Sequence, residues 1–194
     1  MKLAQLFSSL RPPKGGAIGG FIRTAWDRLE KVPGGRALFS QLAGRAAPYS
    51  GSIGARVEEL GMDHARVSMR DRRAVRNHLD CIHAIALANL AELTGNMALA
   101  YSMPPDARFI VAGMEIEYVK KARGTIRASC DFEMPRTHEK REYRVPVELR
   151  DRSGDIVVRA TLRTLVGPIE KRSERERGAN GASKAASASS PSAS

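Results

Sequence analysis

Glu92 is the only formally charged residue between Asp80 and Asp106. It lies within an apolar helical pattern, where a buried carboxylate is costly unless it faces a pocket or a polar partner. A carboxylate in such a place is suited to activate water or to attack a carbonyl carbon. The alternative is that Glu92 reaches solvent, or accepts hydrogen bonds from the N–H groups of a neighbouring loop. The two interpretations fit the residue about equally well when it is considered alone.

A second group of candidate residues precedes the same helix. Asn77 and His83 lie on either side of the point where the helical pattern begins, and Ala84 follows. The first turn of a helix presents unpaired N–H groups and the positive end of the helix dipole, which suits a developing oxyanion. Asn77 could orient a water molecule or a carbonyl group. Taken alone, His83 is more often a capping or packing residue, and Asn77 has no better than even odds of a functional role.

The helix that must position these residues is predicted over residues 82–101. At about 100° per residue, one face is apolar and the opposite face is mixed. The apolar face carries Ile82, Ala86, Leu90, Leu93 and Met97, and the opposite face carries Ile85, Asn89, Glu92 and Asn96. The pattern predicts a central helix that is buried on two sides, one of them polar.

Alternation of apolar and polar residues predicts strands before and after this helix. Residues 55–60 and 65–70 form a hairpin, with Ala65, Val67 and Met69 on its buried face. Four later strands, joined by short turns into an antiparallel meander, are centred on residues 114–118, 126–132, 143–149 and 158–162. The predicted fold class is α+β, an antiparallel sheet wrapped around one long central helix.

Three regions are predicted along the chain. Residues 1–54 form a basic N-terminal helical extension, with two short helices over residues 17–42 that are interrupted at Pro33-Gly34-Gly35 and a loop over residues 46–54. Residues 55–169 form the domain with the sheet and the long helix. Residues 170–194 are rich in Ser and Ala, and they are expected to be disordered because they cannot bury enough apolar surface.

The net charge of +11 is concentrated at the N-terminus, with +6 in residues 1–54, +3 in residues 55–169 and +2 in residues 170–194. Nucleic-acid binding is disfavoured, because five Phe and four Tyr offer few stacking platforms and no aromatic-rich RNA-binding motif occurs. An anionic membrane surface is an alternative partner for residues 1–54, through their basic residues with Phe21, Ile22 and Trp26.

The two cysteines, Cys81 and Cys130, make neither a disulfide framework nor a zinc-ligand spacing. The sequence therefore predicts a reducing compartment and no metal site. No convincing secretory signal precedes the domain, and Glu92 argues against a membrane span over residues 81–105. The expected location is the cytoplasm.

Asn77, His83 and Glu92 together match a known pattern. Their order and spacing closely resemble the active-site segment of hotdog-fold acyl-CoA thioesterases of the phenylacetate-degradation type, in which Asn-x-x-Gly-x-x-His-Gly-Gly is followed by a helical Asp or Glu. The predicted strand order agrees with a hotdog domain over residues 55–169, and the likeness covers roughly residues 55–167. The sequence around Asn77 and Glu92 most resembles a largely uncharacterised bacterial branch of the superfamily.

The resemblance implies a role for each candidate residue. Glu92 would act as general base or nucleophile on a thioester carbonyl, and Asn77 would position the water or the carbonyl. The N–H of Ala84 would polarise the carbonyl oxygen, and His83 would support that turn. In this family the site forms between two subunits, which implies a homodimer that could pair further into a tetramer.

The implied substrate is an acyl group on coenzyme A or on an acyl carrier protein. No cofactor is implied beyond the coenzyme A of the substrate itself. The phosphates of coenzyme A are polyanionic, and Lys120, Lys121 and Arg123 are candidates to meet them. The same residues could instead be solvated charges at the end of a strand.

The sequence departs from the family pattern at two places. Asp80 stands where the family has its first Gly, and Ala84-Ile85 replaces Gly-Gly. Glycine serves where a backbone approaches a ligand closely, so Ile85 could obstruct access, whereas the N–H of Ala84 remains a donor. A non-catalytic hotdog module that binds an acyl chain, or serves as a dimeric scaffold, is therefore the alternative to an enzyme.

Overall fold

The computed structural model describes residues 18–134, 136–137 and 139–169. The predicted disordered tail, residues 170–194, lies outside the described residues, as do the first 17 residues of the basic extension. The helical regions and strands are α1 (Ile18–Leu29), α2 (Gly35–Ala46), α3 (Pro48–Gly51), β1 (Arg56–Gly61), β2 (His64–Met69), α4 (Ala84–Ser102), β3 (Ala107–Tyr118), β4 (Ile126–Asp131), β5 (Arg141–Arg150) and β6 (Ile156–Pro168).

One antiparallel sheet of six strands packs against the long helix α4, which confirms the predicted α+β class. The hairpin β1–β2 turns at Met62 and Asp63, and Ala65, Val67 and Met69 are buried as their alternation predicts. The four later strands are also present. The longest of them, β3 and β6, extend well beyond the segments whose alternation revealed them.

The order of strands in the sheet is β1-β2-β4-β5-β6-β3, so the predicted meander of four consecutive strands is wrong. Strand β3 pairs with β6 at the sheet edge, from Ala107 opposite Pro168 to Tyr118 opposite Val158. Pairing of the 12-residue β3 with the 13-residue β6 gives a long ladder, and β4 is already paired with β2. Residues 119–125 must therefore pass the ends of β6 and β5 to reach β4, and we call them the crossing segment. This segment contacts the residues just before α4, where the N–H of Ile82 donates to the Ala122 carbonyl.

Small side chains let α4 lie close to the sheet. Leu90 and Ala91 are fully buried, and the Thr94 hydroxyl donates a 2.7 Å hydrogen bond to the Leu90 carbonyl, so it needs no outside partner. A Cβ atom at Gly95 would overlap the Leu162 side chain of β6. A larger residue at this point would require the tip of the Leu162 side chain, which is itself fully buried, to move.

The N-terminal helices cover the other side of α4. Helices α1 and α2 occur where two helices are predicted, with the break at Pro33-Gly34-Gly35. The predicted loop over residues 46–54 is wrong in part, because it contains the short helix α3, in which Pro48 occupies the first position, where its missing N–H costs nothing. Trp26 and Phe39 meet edge to face with ring centroids 5.1 Å apart.

The apolar residues of α1 face the protein core. Ile22 and Trp26 are buried there, and Phe21 is partly buried against the same cluster. The suggestion that these side chains dock on a membrane is therefore wrong, because Ile22 and Trp26 are already covered by protein. No helix in the described part of the chain is both long and apolar enough to cross a bilayer.

Arg23 joins α1 to the end of α4. Its guanidinium donates to the Tyr101 carbonyl (2.7 Å) and the Met103 carbonyl (3.0 Å), and it lies 5.5 Å from the centre of the Tyr101 ring. The Tyr101 hydroxyl donates to Asp27 of α1 at 2.7 Å. Burial, helped by the Asp27 carboxylate, raises the pKa of Tyr101 to about 12, so the hydroxyl stays protonated.

Replacement of Arg23 by Ala should lower the free energy of unfolding by about 1.5–3 kcal/mol, because two carbonyls at the end of α4 lose a charged donor. Urea unfolding followed by circular dichroism measures the change. Arg28→Ala is the matched control, since Arg28 is exposed on the same helix and has no partner among the described residues. Equal losses for the two variants would contradict a role for Arg23 in holding α1 to α4.

Candidate active site

The loop before α4 is closed by Asn77. The Asn77 side-chain oxygen accepts hydrogen bonds from the N–H groups of Leu79 (2.9 Å) and Cys81 (3.4 Å), and its own N–H donates to the Cys81 carbonyl at 2.9 Å. The side-chain NH₂ of Asn77 has no partner among the described residues. The structure therefore gives Asn77 a definite structural role and leaves one of its polar groups free to donate to a ligand.

His83 is the N-cap of α4. Its Nδ1 atom accepts a 3.1 Å hydrogen bond from the N–H of Ile85, which places the ring proton on Nε2. The His83 carbonyl accepts from the N–H groups of Ala86 and Leu87. The capping role favoured for an isolated histidine is thus what the structure shows, and it also supports the turn that carries Ala84.

The N–H of Ala84 is the open donor at this helix start. The next three N–H groups of α4 are all bonded to His83, whereas that of Ala84 has no partner in the described part of the chain. The positive end of the helix dipole adds to the donor strength of this group. The side chain of Ile85, 53% exposed, extends outward beside it. One donor is therefore available for a negatively charged oxygen.

Asp80 adopts a backbone conformation that favours glycine. Its φ is 53°, in the left-handed region, which Asp adopts more readily than most residues. The Asp80 carboxylate accepts a hydrogen bond from Arg76 at 2.8 Å. This departure from the family pattern thus leaves the loop geometry possible and adds an ion pair to it.

Asp71 joins this loop to the crossing segment. Its carboxylate accepts hydrogen bonds from Arg76 Nε (2.6 Å) and from the N–H of Gly124 (2.8 Å). The Arg76 guanidinium, followed by the Gly124 N–H, holds the pKa of the Asp71 carboxyl below its usual value, against the opposing effect of burial. The sequence analysis missed Asp71, and only its place among several arginines hinted at a paired carboxylate.

The crossing segment reaches the site through further contacts that sequence analysis missed. The Ala122 carbonyl accepts from the N–H of Ile82 at 2.9 Å, and Arg123 donates to the Asp80 carbonyl at 3.3 Å. The Tyr118 hydroxyl at the end of β3 donates to the Ala84 carbonyl at 3.1 Å. Burial raises the pKa of Tyr118, which keeps this hydroxyl in its donating form. The first turn of α4 is therefore fixed from outside the helix.

Glu92 lies apart from this group within one chain. It is eight residues beyond Ala84, or about 12 Å along the helix axis, and it is exposed. Its one hydrogen bond in the described part of the chain comes from Asn96, at 3.5 Å. Asn89 is buried and donates to the Tyr49 carbonyl, but Ile85 and Glu92 form an open strip. The prediction that α4 buries both sides is thus wrong for a single chain.

A cavity of about 220 Å³ adjoins the start of α4. It is lined by His83, Ile85 and Asn89 of the helix region, by Arg76, and by residues of α3 and the loop after it. Ala84 lies between the lining residues His83 and Ile85, and Asn77 follows the lining residue Arg76. The structure therefore holds His83 and Ala84 together at the start of α4, places Asn77 across the loop against Cys81, and leaves Glu92 two turns away.

Several arginines on the outer face of the sheet are paired with carboxylates. The pairs Arg159–Glu117 and Arg163–Glu142 join adjacent strands, and the pair Arg144–Glu115 spans the intervening strand β6. Exposed pairs of this kind contribute little to stability, but they neutralise the surface.

Comparisons with known proteins extend over most of the chain. Residues 35–166 match the protein family described as Domain of unknown function (DUF4442). The crystal structure of a structural-genomics target, APC5556, is 34% identical, covers 76% of this chain and 99% of its own, and has a TM-score of 0.68. No curated protein matches the sequence.

Two further solved structures show the fold. A Pseudomonas aeruginosa protein of unknown function, PA5026, named a probable thioesterase, is 24% identical and covers 66% of this chain and 93% of its own, with a TM-score of 0.61. The thioesterase HI1161 from Haemophilus influenzae is 13% identical and covers 64% and 85%, with a TM-score of 0.57. These likenesses confirm the predicted hotdog fold.

Replacement of Asp80 isolates the cost of its backbone conformation. Asp80→Gly and Asp80→Ala both remove the bond to Arg76, but only Gly adopts a positive φ without strain. The Ala variant should therefore be less stable than the Gly variant by about 1 kcal/mol, as measured by urea unfolding. Equal stabilities would mean that the loop does not require the left-handed conformation.

The contribution of Asp71 to stability should depend on pH. A carboxyl whose pKa is lowered on folding stabilises the protein above its unfolded pKa, and this stabilisation is lost as the pH falls through the folded pKa. Asp71→Asn should cost about 1.5–3 kcal/mol at pH 7, and the difference from wild type should shrink below about pH 4. Urea unfolding at a series of pH values measures it.

Asp131→Asn is the control for this pH series, because Asp131 is an exposed partner of Arg66. Its effect at pH 7 should be below about 1 kcal/mol. A pH-independent cost for Asp71→Asn would show that its carboxylate is not what joins the two loops.

Proposed function

The chain belongs to the DUF4442 family and has the hotdog fold, and from this premise we propose that it hydrolyses the thioester bond of an acyl group carried on coenzyme A or on an acyl carrier protein. The observation that carries the proposal is the N–H of Ala84 at the start of a 19-residue helix, which has no partner among the described residues. A donor of this kind stabilises the oxyanion that forms when a carbonyl is attacked.

The proposed reaction needs a base that Glu92 supplies. The Glu92 carboxylate takes a proton from a water molecule, and the hydroxide adds to the thioester carbon. The resulting oxyanion accepts the hydrogen bond of the Ala84 N–H, while Asn77 orients the water or the carbonyl. The carbon–sulfur bond then breaks, and the thiolate takes the proton from Glu92. The products are a carboxylic acid and a thiol.

The 12 Å separation along α4 means that Glu92 and Ala84 of one chain cannot act on one carbonyl. Two chains can form a complete site if their α4 helices pack antiparallel through the exposed strips. Each Glu92 then approaches the start of α4 in the other chain. Strand β3 supports the proposed homodimer, since it is a 12-residue edge strand with Ile110 66% exposed. Unpaired edges of this length are natural sites of strand pairing between chains.

The cations near the site divide into two groups. Lys120 is held between Asp151 (2.8 Å) and Asp155 (2.6 Å), so it is committed to the protein. Lys121 and Arg123 contact no carboxylate in the described part of the chain. These two residues are therefore the better candidates for the phosphates of coenzyme A.

A non-catalytic acyl-binding module is the second candidate function. The observation that favours it is the exposed side chain of Ile85 in place of the family glycine, next to the Ala84 N–H. If this side chain blocks the approach of the thioester, the pocket would bind acyl chains without hydrolysing them.

Hydrolysis of a panel of acyl-CoA thioesters, followed by release of the free thiol, tests the proposal. Glu92→Gln should lower kcat by about 10²- to 10⁴-fold, because it removes the base and keeps the side-chain shape. Glu133→Gln is the control, since Glu133 is exposed beyond β4 and has no partner among the described residues. Turnover that is absent for every chain length, or that does not depend on Glu92, would favour the non-catalytic module.

A further inference from the structure

A cavity of about 690 Å³ lies between the N-terminal helices and α4. Its walls come from α2, from α3 and the loop that follows it, and from the start of β1, and its floor is formed by Leu93 and Met97 of α4. Cavities of 300–1,000 Å³ are the usual size for small-molecule sites. None of the candidate catalytic residues lines it, so it is a separate feature of the fold.

We propose that this cavity binds the aliphatic acyl group of the thioester, an inference that rests on the proposed function. The lining contains no aromatic ring in the described part of the chain, and its interior is made of aliphatic and small side chains such as Ala37, Ala55 and Val57. Among the lining residues, the exposed Arg45 has no carboxylate partner in the described part of the chain, whereas Arg56 pairs with Glu58 at 3.4 Å. A chain with an apolar tail and a polar, anionic carrier matches this distribution.

The cavity reaches α4 at Leu93, the residue next to Glu92. Leu93 directly follows Glu92, and Met97 lies one further turn along the same side of α4. Ser52 lines both this cavity and the 220 Å³ cavity at the start of α4. In the proposed complex the acyl chain passes from a carbonyl at Glu92 around α4 to Leu93, where the cavity begins.

The roof of the cavity is rigid. A Cβ atom at Gly51 of α3 would overlap the backbone of Gly44 in α2, so the two helices touch through their main chains. The buried amide of Asn89 fixes α3 to α4 through its 3.1 Å bond to the Tyr49 carbonyl. A preformed wall of this kind lowers the ordering cost of binding.

Met97 of the cavity floor separates the cavity from a smaller one. It lines both the 690 Å³ cavity and a smaller apolar cavity of about 110 Å³, whose other walls include Phe21, Ile22 and Phe39. Ala43 is also shared by the two cavities. Shortening Met97 joins the two spaces and lengthens the site, so Met97 sets the longest acyl chain that fits.

The test is the chain-length profile of kcat/KM over saturated acyl-CoA thioesters from acetyl-CoA to palmitoyl-CoA. Met97→Ala should move the optimum to longer chains, with a gain of about fourfold for each methylene that enters the joined cavity. Met103→Ala is the matched control, because Met103 is equally buried at the end of α4 but lines neither cavity. It should lower stability and leave the profile unchanged.

Filling the cavity should have the opposite effect. Ala37→Phe places a ring in the space, and it should shorten the preferred chain and weaken long-chain substrates by tenfold or more, at about fourfold per excluded methylene. Val32→Phe is the control, since Val32 is exposed between α1 and α2, away from the cavity. An unchanged profile in both Met97→Ala and Ala37→Phe would overturn the assignment.

A binding measurement separates this inference from the proposed reaction. The fluorescent fatty acid cis-parinaric acid should bind the Glu92→Gln protein, and Ala37→Phe in that background should weaken binding by tenfold or more. Suppose that turnover depends on Glu92, but that neither Met97→Ala nor Ala37→Phe changes the chain-length profile or the binding of the probe. That result would contradict the acyl site and leave the proposed reaction standing. Probe binding that responds to Ala37 without any turnover would contradict the proposed reaction and support the acyl site.

Discussion

The close packing of α4 on the sheet is the contact on which the candidate site depends. Ala91 and Ala98 are fully buried, and Gly95 leaves room for the tip of the Leu162 side chain. Because small residues bring the helix this near, α4 has little freedom to move along or away from the strands. Its first turn is then held against the crossing segment by the bond from Ile82 to Ala122. The Ala84 N–H, which has no partner among the described residues, is therefore held in place, as an oxyanion site requires.

Local patterns predicted the elements of this fold well. The hairpin and α4 follow from period-2 and period-3.6 apolar spacing, and the resemblance at Asn77, His83 and Glu92 identified the hotdog fold. The pairing of β3 with β6 was missed, because alternation tells which face of a strand is buried but not which strand lies beside it. The contact of α3 with α4 was missed for a related reason, since a four-residue helix has no periodicity to detect.

The sequence predicted which residues belong to the candidate site better than it predicted the hydrogen bonds that hold them. The helix start, the capping tendency of His83 and the donor of Ala84 all follow from local sequence. The bond of Asp71 to Gly124 does not, because it joins segments about fifty residues apart, and the bond to Arg76 depends on a loop conformation that the sequence does not show. The sequence left open whether Glu92 reaches solvent, since an apolar helix gives the same pattern whether one side is covered by its own sheet or by a second chain.

The central claim is that one site combines Glu92 of one chain with Ala84 of another, and complementation between two inactive variants tests it most directly. Ala84→Pro removes only the N–H, because proline is tolerated at the first helical position and His83 already has the extended ψ of 138° that a following proline favours. Co-expression of Ala84→Pro with Glu92→Gln should restore about one quarter of wild-type thioester hydrolysis, since half of the randomly paired dimers carry one intact site. Activity no higher than that of either variant alone would contradict a site shared between two chains.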